Sequence, residues 1–323
     1  MATLEETKFF DKLIDDFGIW QHSDGAEIKT DEGYTLRDAA TGLLVTLSLG
    51  KDTKSETLFS YIEKSQIGET VFGFAGKDRN FLPEIASSVA IGQTIWAAGY
   101  AFSKSFYRNE SVRLINKSTQ MLDKANDIYG FAFGLLGAVY VNKELSDYFF
   151  ERIKLHYNDV TEDWVWYESI VTSNSGIISY ALLRYGLVYK NNEAVILGRK
   201  ILQFLEKCCT YERQRGPIGS ETNMTKGDKV ASNYPQSPTD AAYMVWAWLV
   251  AYQISNDSFD KERCDGWMQW FEGNNILRVK MYDPVDSHCF DSIEQWGVKY
   301  TSSAEANISM LLSKYMTSEN ITI

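Results

Sequence analysis

Residues 85–103 read IASSVAIGQTIWAAGYAFS, and residues 109–124, after a short break, read NESVRLINKSTQMLDK. Both have helical periodicity, but they differ in kind. The first is apolar or small on nearly every face. The second is amphipathic, with a charged side. A helix apolar all round is buried on every side, whereas one with a charged stripe faces water. The same contrast recurs along the chain. Segments 36–50, 127–141, 173–186, 237–255 and 301–316 resemble the first, and segments 4–17, 54–65, 143–157, 191–208 and 260–272 resemble the second. Six helices of each kind, strictly alternating, predict an inner ring wrapped by an outer ring. The expected fold is all-α: one (α/α)6 toroid over residues 1–323, with 317–323 as a flexible C-terminal tail. Glycine and alanine in the inner series let neighbouring helices approach closely.

Strand signals are scarce. The long connections, 18–35, 66–84, 158–172, 210–236 and 273–300, each lead from an outer segment to the next inner one. They therefore gather on one rim, and loops of this length are usually functional. The inner-helix N-termini point at that rim with their partial positive charge.

Composition narrows the ligand class. A formal net charge of −11 without basic runs argues against nucleic acid, which needs clustered Lys and Arg. No window offers the run of roughly 18 apolar residues that a membrane span requires. The N-terminus lacks a basic stretch followed by an apolar one, so no secretory signal is read there. Cys208, Cys209, Cys264 and Cys289 form no CxxC pair, and with only three histidines a zinc site is not expected. The expectation is a cytoplasmic protein with free thiols, no metal and no cofactor. Nine Trp and nineteen Tyr are less ordinary. Large rings fill cores, but Trp and Tyr also carry a polar group, and a wet cleft that stacks on sugar faces uses both properties.

Four rim segments place carboxylates beside aromatic or amide groups. The first holds Gln21, His22, Tyr34 and Asp38. The second holds Asp163, Trp164, Trp166, Glu168 and Asn174. The third holds Glu221, Tyr234, Gln236 and Asp240, and the fourth Asp283, Asp291, Trp296 and Glu305. Asp38, Asp240 and Glu305 fall at inner-helix N-termini, where an acid can simply cap the helix. Several acids converging on one rim suit glycoside cleavage, which needs a carboxylic acid and a carboxylate flanking the bond. Asp159 and Asp163 do not have EF-hand spacing. Phosphate-loop, dinucleotide, HExxH and nucleophile-elbow motifs are missing.

These segments resemble, in order, a bacterial and archaeal family of helical glycosidase-like toroids often encoded with or fused to glycosyltransferases. Gly18-Ile19-Trp20-Gln21-His22 with Gly33-Tyr34 and Asp38 is similar to its opening pattern. Trp164-Val165-Trp166-Tyr167-Glu168 with Asn174 resembles its W-W-F/Y-E signature. Pro217-Ile218-Gly219 with Gln236, Pro238 and Asp240 resembles its PIG…QQP–E stretch, and Trp270-Phe271-Glu272-Gly273-Asn274, Tyr282-Asp283, Phe290-Asp291 and Ala304-Glu305 are similar to its closing motifs. The chain departs from the pattern where an Asp pair becomes Arg37-Asp38. It also departs at Ser87–Gln93 and at Thr172–Gly176, where acids and arginines are lost.

The resemblance implies the toroid fold, a carbohydrate ligand and an association with a glycosyltransferase. The leading expectation is a glycoside hydrolase with Glu168 and Asp240 as acid and base, the rings around Glu168 raising its pKa. Asp38 and Glu305 would share the acid–base work or position hydroxyls. Trp164, Trp166, Tyr34 and Trp296 would stack on sugar. Gln21, His22, Asp163, Asn174, Gln236 and Asp291 would complete the binding set. A sugar epimerase, an unsaturated-glycuronyl hydrolase and a catalytically silent sugar-binding scaffold are the alternatives.

Overall fold

The structure is a computed structural model describing residues 6–158, 160–211, 214–218, 224–228 and 234–323. Glu221 and Asp159 lie outside the described residues. The fold is built from twelve helices among them: α1 (Lys8–Leu13), α2 (Leu36–Ser48), α3 (Asp52–Lys64), α4 (Ser88–Ser103), α5 (Arg108–Ala125), α6 (Ile128–Ala138), α7 (Lys143–Leu155), α8 (Gly176–Tyr189), α9 (Asn192–Cys208), α10 (Pro238–Ser255), α11 (Ser258–Phe271) and α12 (Ala304–Glu319). The even-numbered helices touch one another in sequence, and α12 returns to α2, so the inner ring closes. The odd-numbered helices pack outside it, each against an inner partner, with α1 reaching across to α12. This is a single-domain all-α toroid.

The two helix classes bury what their sequences require. In α10 every residue from Pro238 to Ala251 is buried. In α9 burial is confined to a stripe, Ala194, Gly198, Ile201, Leu202, Leu205 and Cys208, the spacing of one helical face. Between α4 and α6 backbone packs against backbone. A Cβ on Gly99 would lie 2.2 Å from the Gly137 carbonyl oxygen, and one on Gly137 would lie 2.1 Å from that of Ile95. Only glycine fits there.

Three features differ from the sequence reading. The segment expected as an outer helix over 4–17 yields only α1, because Asp15 turns the chain: its Oδ1 accepts from the N–H groups of Phe17 and Gly18 at 2.8 and 3.0 Å. The rim is not strand-free. A four-stranded antiparallel sheet, in the order 301–303, 20–24, 27–35 and 74–75, stands over the N-terminal ends of α2 and α12. Its first hairpin turns at Gly25, with φ of +55°. The tail expected to be flexible is docked: α12 continues to Glu319, and Ile323, 1% exposed, donates its N–H to the Tyr180 hydroxyl at 3.1 Å. All four cysteines are free and buried. No described helix is long and apolar enough to cross a membrane.

Replacing Gly99 with alanine is expected to cost about 3 kcal/mol or more, because backbone rather than a mobile side chain must give way. Urea denaturation checks this; an unchanged midpoint would mean that α4 and α6 are farther apart than described.

Candidate functional site

The rim carries the inner-helix N-termini, and the sequence caps most of them. Thr35, Ser87, Asp127, Ser237 and Ser303 each accept a backbone N–H from the first turn of α2, α4, α6, α10 and α12. In α2 and α10 the third residue is an aspartate that also bonds the cap. The Thr35 hydroxyl donates to Asp38 Oδ2 at 2.6 Å, and the Ser237 hydroxyl to Asp240 Oδ2 at 2.7 Å. Asp240 Oδ1 accepts the N–H of Asn174 at 2.5 Å. Asn174 sits at φ +64°, just before α8, which has no side-chain cap of its own.

Capping does not explain the burial of these acids, since a cap works as well at the surface. Asp38 and Asp240 are only 5% and 9% exposed. Burial penalises their charged forms, with the nearby Glu305 charge adding to the effect, and both are pushed up to about 7. Glu305 itself pairs with Arg37 across the α12–α2 seam, Nη2 to Oε1 at 2.7 Å. Arg37, Asp38, Glu305 and the buried Tyr243 line one narrow cavity with Gln93 and Trp96, having about 10 Å³ of free space, the size of one water. Asp240 opens instead onto an adjoining cavity beside Ser175, Cys209 and Ile218.

The structure therefore gathers Asp38, Asp240 and Glu305, and sorts the other expected residues differently. Glu168 and Asp163 are exposed, so the apolar enclosure expected to suit Glu168 to an acid role is not there. Its carbonyl oxygen accepts the indole N–H of Trp164 at 2.6 Å. Trp164 and Trp166 are buried, 6% and 2% exposed, and offer no free face for stacking. Tyr34 is a core residue as well: it stacks on Trp20 with ring centroids 4.0 Å apart and donates its hydroxyl to Asp15. Gln236 is buried, accepting the indole N–H of Trp270 at 3.0 Å. Asp291 accepts the Thr301 hydroxyl at 2.5 Å. Gln21 and His22 are half-buried on the sheet, with His22 paired in register with Ser303, two residues before Glu305. Trp296 is an open aromatic face, 73% exposed beside the turn of the hairpin formed by strands Ser292–Glu294 and Gly297–Lys299.

Arg37, Tyr243, Gln93 and Trp96 are the residues that the sequence reading passed over. Gln93 and Trp96 had a detectable signal, a polar group and an indole three residues apart on one face of an otherwise apolar helix. One group among the described residues has metal-ligand chemistry: Asp283, Asp286 and His288 bring candidate ligand atoms within 4.8 Å of one another. Its atoms already bond locally, His288 Nδ1 with Asp286 and Asp283 Oδ1 with the N–H of Val285 at 2.7 Å.

No family model and no curated protein matches this sequence. Solved structures do match in fold. A sugar epimerase from a ruminal bacterium superposes with a TM-score of 0.75 at 12% identity, covering 97% of this chain and 96% of that one. A D-mannose isomerase gives 0.75 at 10% identity, over 97% and 95% of the two chains. An unsaturated glucuronyl hydrolase from Streptococcus agalactiae gives 0.62 at 9% identity, over 97% and 88%. At such identities the likeness establishes the fold, and chemistry must be argued from the site.

The raised carboxyls have a consequence for stability. Both rise above the ordinary value of 3.8, so the folded state binds these protons more tightly than the unfolded one. Their contribution to stability is then lost as pH rises from about 4 to about 7. Asp240→Asn removes the ionising group; its oxygen keeps the bond from the Asn174 N–H, and its amide NH2 donates to the Ser237 hydroxyl in place of the bond that Oδ2 accepted. The variant is expected to match the wild type at pH 4 and to exceed it at pH 8, by up to about 4 kcal/mol if the whole shift is expressed. Denaturation across that range checks the sign; a variant less stable than the wild type at pH 8 would contradict it.

Proposed function

We propose that the chain is a carbohydrate-active enzyme working on a single sugar unit by carboxyl acid–base chemistry, with hydrolysis of a glycosidic bond as its reaction. One observation carries this reading: a buried carboxyl pushed up to about 7, Asp38, shares a cavity with a carboxylate ion-paired to arginine, Glu305. Unlike environments for two neighbouring carboxyls are what divides acid from base. In the proposed step Asp38 gives its proton to the leaving oxygen as the bond to the anomeric carbon breaks. Glu305 takes the proton of the attacking water or bonds to that carbon itself, according to their separation. Arg37 holds Glu305 in place, while Asp240, which opens onto the adjoining cavity, is near enough to feel the Glu305 charge. Asp38 thus takes the acid role expected of Glu168, and Glu305 the base role expected of Asp240. The enclosed space is the size of one water, so it admits a single hydroxyl, and the sugar ring would lie above it against Arg37 and Glu305.

The second reading is sugar epimerisation or isomerisation. It is favoured by the same narrow cavity, by acids able to give and take a proton near neutral pH, and by the epimerase and isomerase among the similar structures. A cytoplasmic location and a glycosyltransferase partner rest on the sequence reading alone, and the free buried cysteines accord with a reducing compartment.

Incubating the protein with a panel of di- and oligosaccharides in deuterated water separates the reactions. Hydrolysis produces new reducing ends; epimerisation or isomerisation puts deuterium beside the carbonyl carbon and produces none. The expected result is new reducing ends, with kcat/KM falling about 10²–10⁴-fold in Asp38→Asn and Glu305→Gln. Deuterium incorporation alone would replace the first reading with the second. Binding without either change would leave a sugar-binding protein.

A further inference from the structure

Below the acids the cavity has a floor of another character. Arg37, Asp38, Asp240 and Glu305 stand in the first turn of their helices, whereas Thr41, Gln93 and Ser309 stand in the second, and Trp96 and Trp246 in the third. Each turn lowers a side chain by about 5 Å towards the centre of the ring. Most polar groups at these depths are satisfied by the protein. Thr41 donates to the Arg37 carbonyl at 2.9 Å, Ser309 bonds the Thr239 hydroxyl at 3.1 Å, and the indole N–H of Trp246 meets Ser313 at 2.9 Å. Two are not. Gln93 Oε1 and Trp96 Nε1 are buried and have no hydrogen-bond partner among the described residues, and the same holds for Arg37 Nε.

Gln93 is 2% exposed and Trp96 fully buried, so solvent cannot satisfy them across an open surface. A buried polar atom without a partner costs free energy and calls for a specific explanation. The contrast between the two indoles is informative. Trp96 and Trp246 pack edge to face 5.9 Å apart in the same cavity wall, yet only Trp246 has its N–H occupied by a protein group. The free groups are an acceptor, Gln93 Oε1, and a donor, Trp96 Nε1, on one helix face.

We infer that Gln93 and Trp96 are the specificity floor of the site, binding one neutral hydroxyl of the substrate sugar at its deepest-buried carbon. This inference rests on the carbohydrate reading of the cavity and narrows it. A hydroxyl donates and accepts through the same oxygen, so it meets both groups at once. A carboxylate satisfies the indole but repels Gln93 Oε1, and an ammonium does the reverse. The floor therefore selects an uncharged sugar bearing a hydroxyl at that carbon, and it rejects the deoxy analogue because two buried groups then stay unpaired. The carboxyls above carry the chemistry; the floor chooses what reaches them.

The test uses D-glucose, D-mannose, D-galactose, their monodeoxy analogues and D-glucuronate as probes, with binding read by calorimetry. The proteins are the wild type, Trp96→Phe, which keeps a ring but removes the N–H, and Gln93→Met, which keeps the volume but removes the acceptor. The wild type is expected to bind at least one neutral hexose and to lose about tenfold or more for one deoxy position. Each variant should lose a similar factor for the parent hexose and no longer distinguish it from that deoxy analogue. Unchanged affinity and unchanged discrimination in both variants would overturn this inference and leave the sugar-site reading standing. Preferential binding of D-glucuronate would also overturn it. Failure of the wild type to bind any panel sugar would remove the sugar-site reading, and this inference with it. A crystal structure of the wild type with the tightest-binding hexose adds a check that does not depend on how the variants fold. With a hexose bound, a sugar hydroxyl oxygen within hydrogen-bond reach of both Gln93 Oε1 and Trp96 Nε1 supports the floor, and a retained water or protein partners on both atoms would exclude it.

Discussion

The structure depends on closing a ring, and the closure is made where the chain's first and last inner helices meet. Between α12 and α2 the seam is held at the rim by the Arg37–Glu305 pair and by strand 301–303 lying against strand 20–24. An ion pair between side chains more than a third exposed contributes little to stability by itself. Its effect is geometric: it fixes two helix N-termini side by side and so puts Asp38 and Glu305 into one cavity. Elsewhere the ring is tightened by glycine, above all between α4 and α6, where backbone meets backbone. The toroid is thus drawn in by apolar contact and completed by a polar one, and the polar seam is where the candidate chemistry lies.

The first turns of α2 and α10 serve two ends with one side chain. Asp38 and Asp240 complete caps that any helix start can use, yet both are buried so deeply that the carboxylate form is disfavoured near neutral pH. A surface aspartate would cap the helix at lower cost. Retaining buried acids at the expense of stability is the pattern of a site that uses their protons. The unpaired groups of Gln93 and Trp96 below them are a second local sacrifice at the same place.

The helices were legible in the sequence because their signal is long and redundant. In α10 an uninterrupted apolar run sets both helix and burial, and in α9 the spacing of Ala194, Gly198, Ile201 and Leu205 sets the outward face. The rim was less legible. The sheet strands are short and largely polar, and Asp24-Gly25 was the one turn signal that could have revealed the hairpin. The placement of Asp38, Asp240 and Glu305 at the rim is legible because helix starts can be read from cap residues. Glu168 was favoured for its aromatic neighbours, but adjacency in sequence says nothing of which way each side chain turns. In the structure the indoles face inward and the carboxylate faces water. Tyr34 was misjudged for the same reason, since a tyrosine suited to sugar is equally suited to the core. The partnership of Arg37 with Glu305 joins residues at opposite ends of the chain, and no local pattern encodes it.

The account stands on two buried carboxyls titrating near neutrality beside a third that is held by arginine. Carbon NMR of aspartate side-chain carboxyls, titrated in the wild type and in Glu305→Gln, measures this directly. The account predicts two resonances that titrate near pH 7, assigned by Asp38→Asn and Asp240→Asn. Both should move down when Glu305 loses its charge, because that charge helps hold them up. Aspartates that all titrate below about pH 5, the ordinary range for an exposed carboxyl, would contradict it.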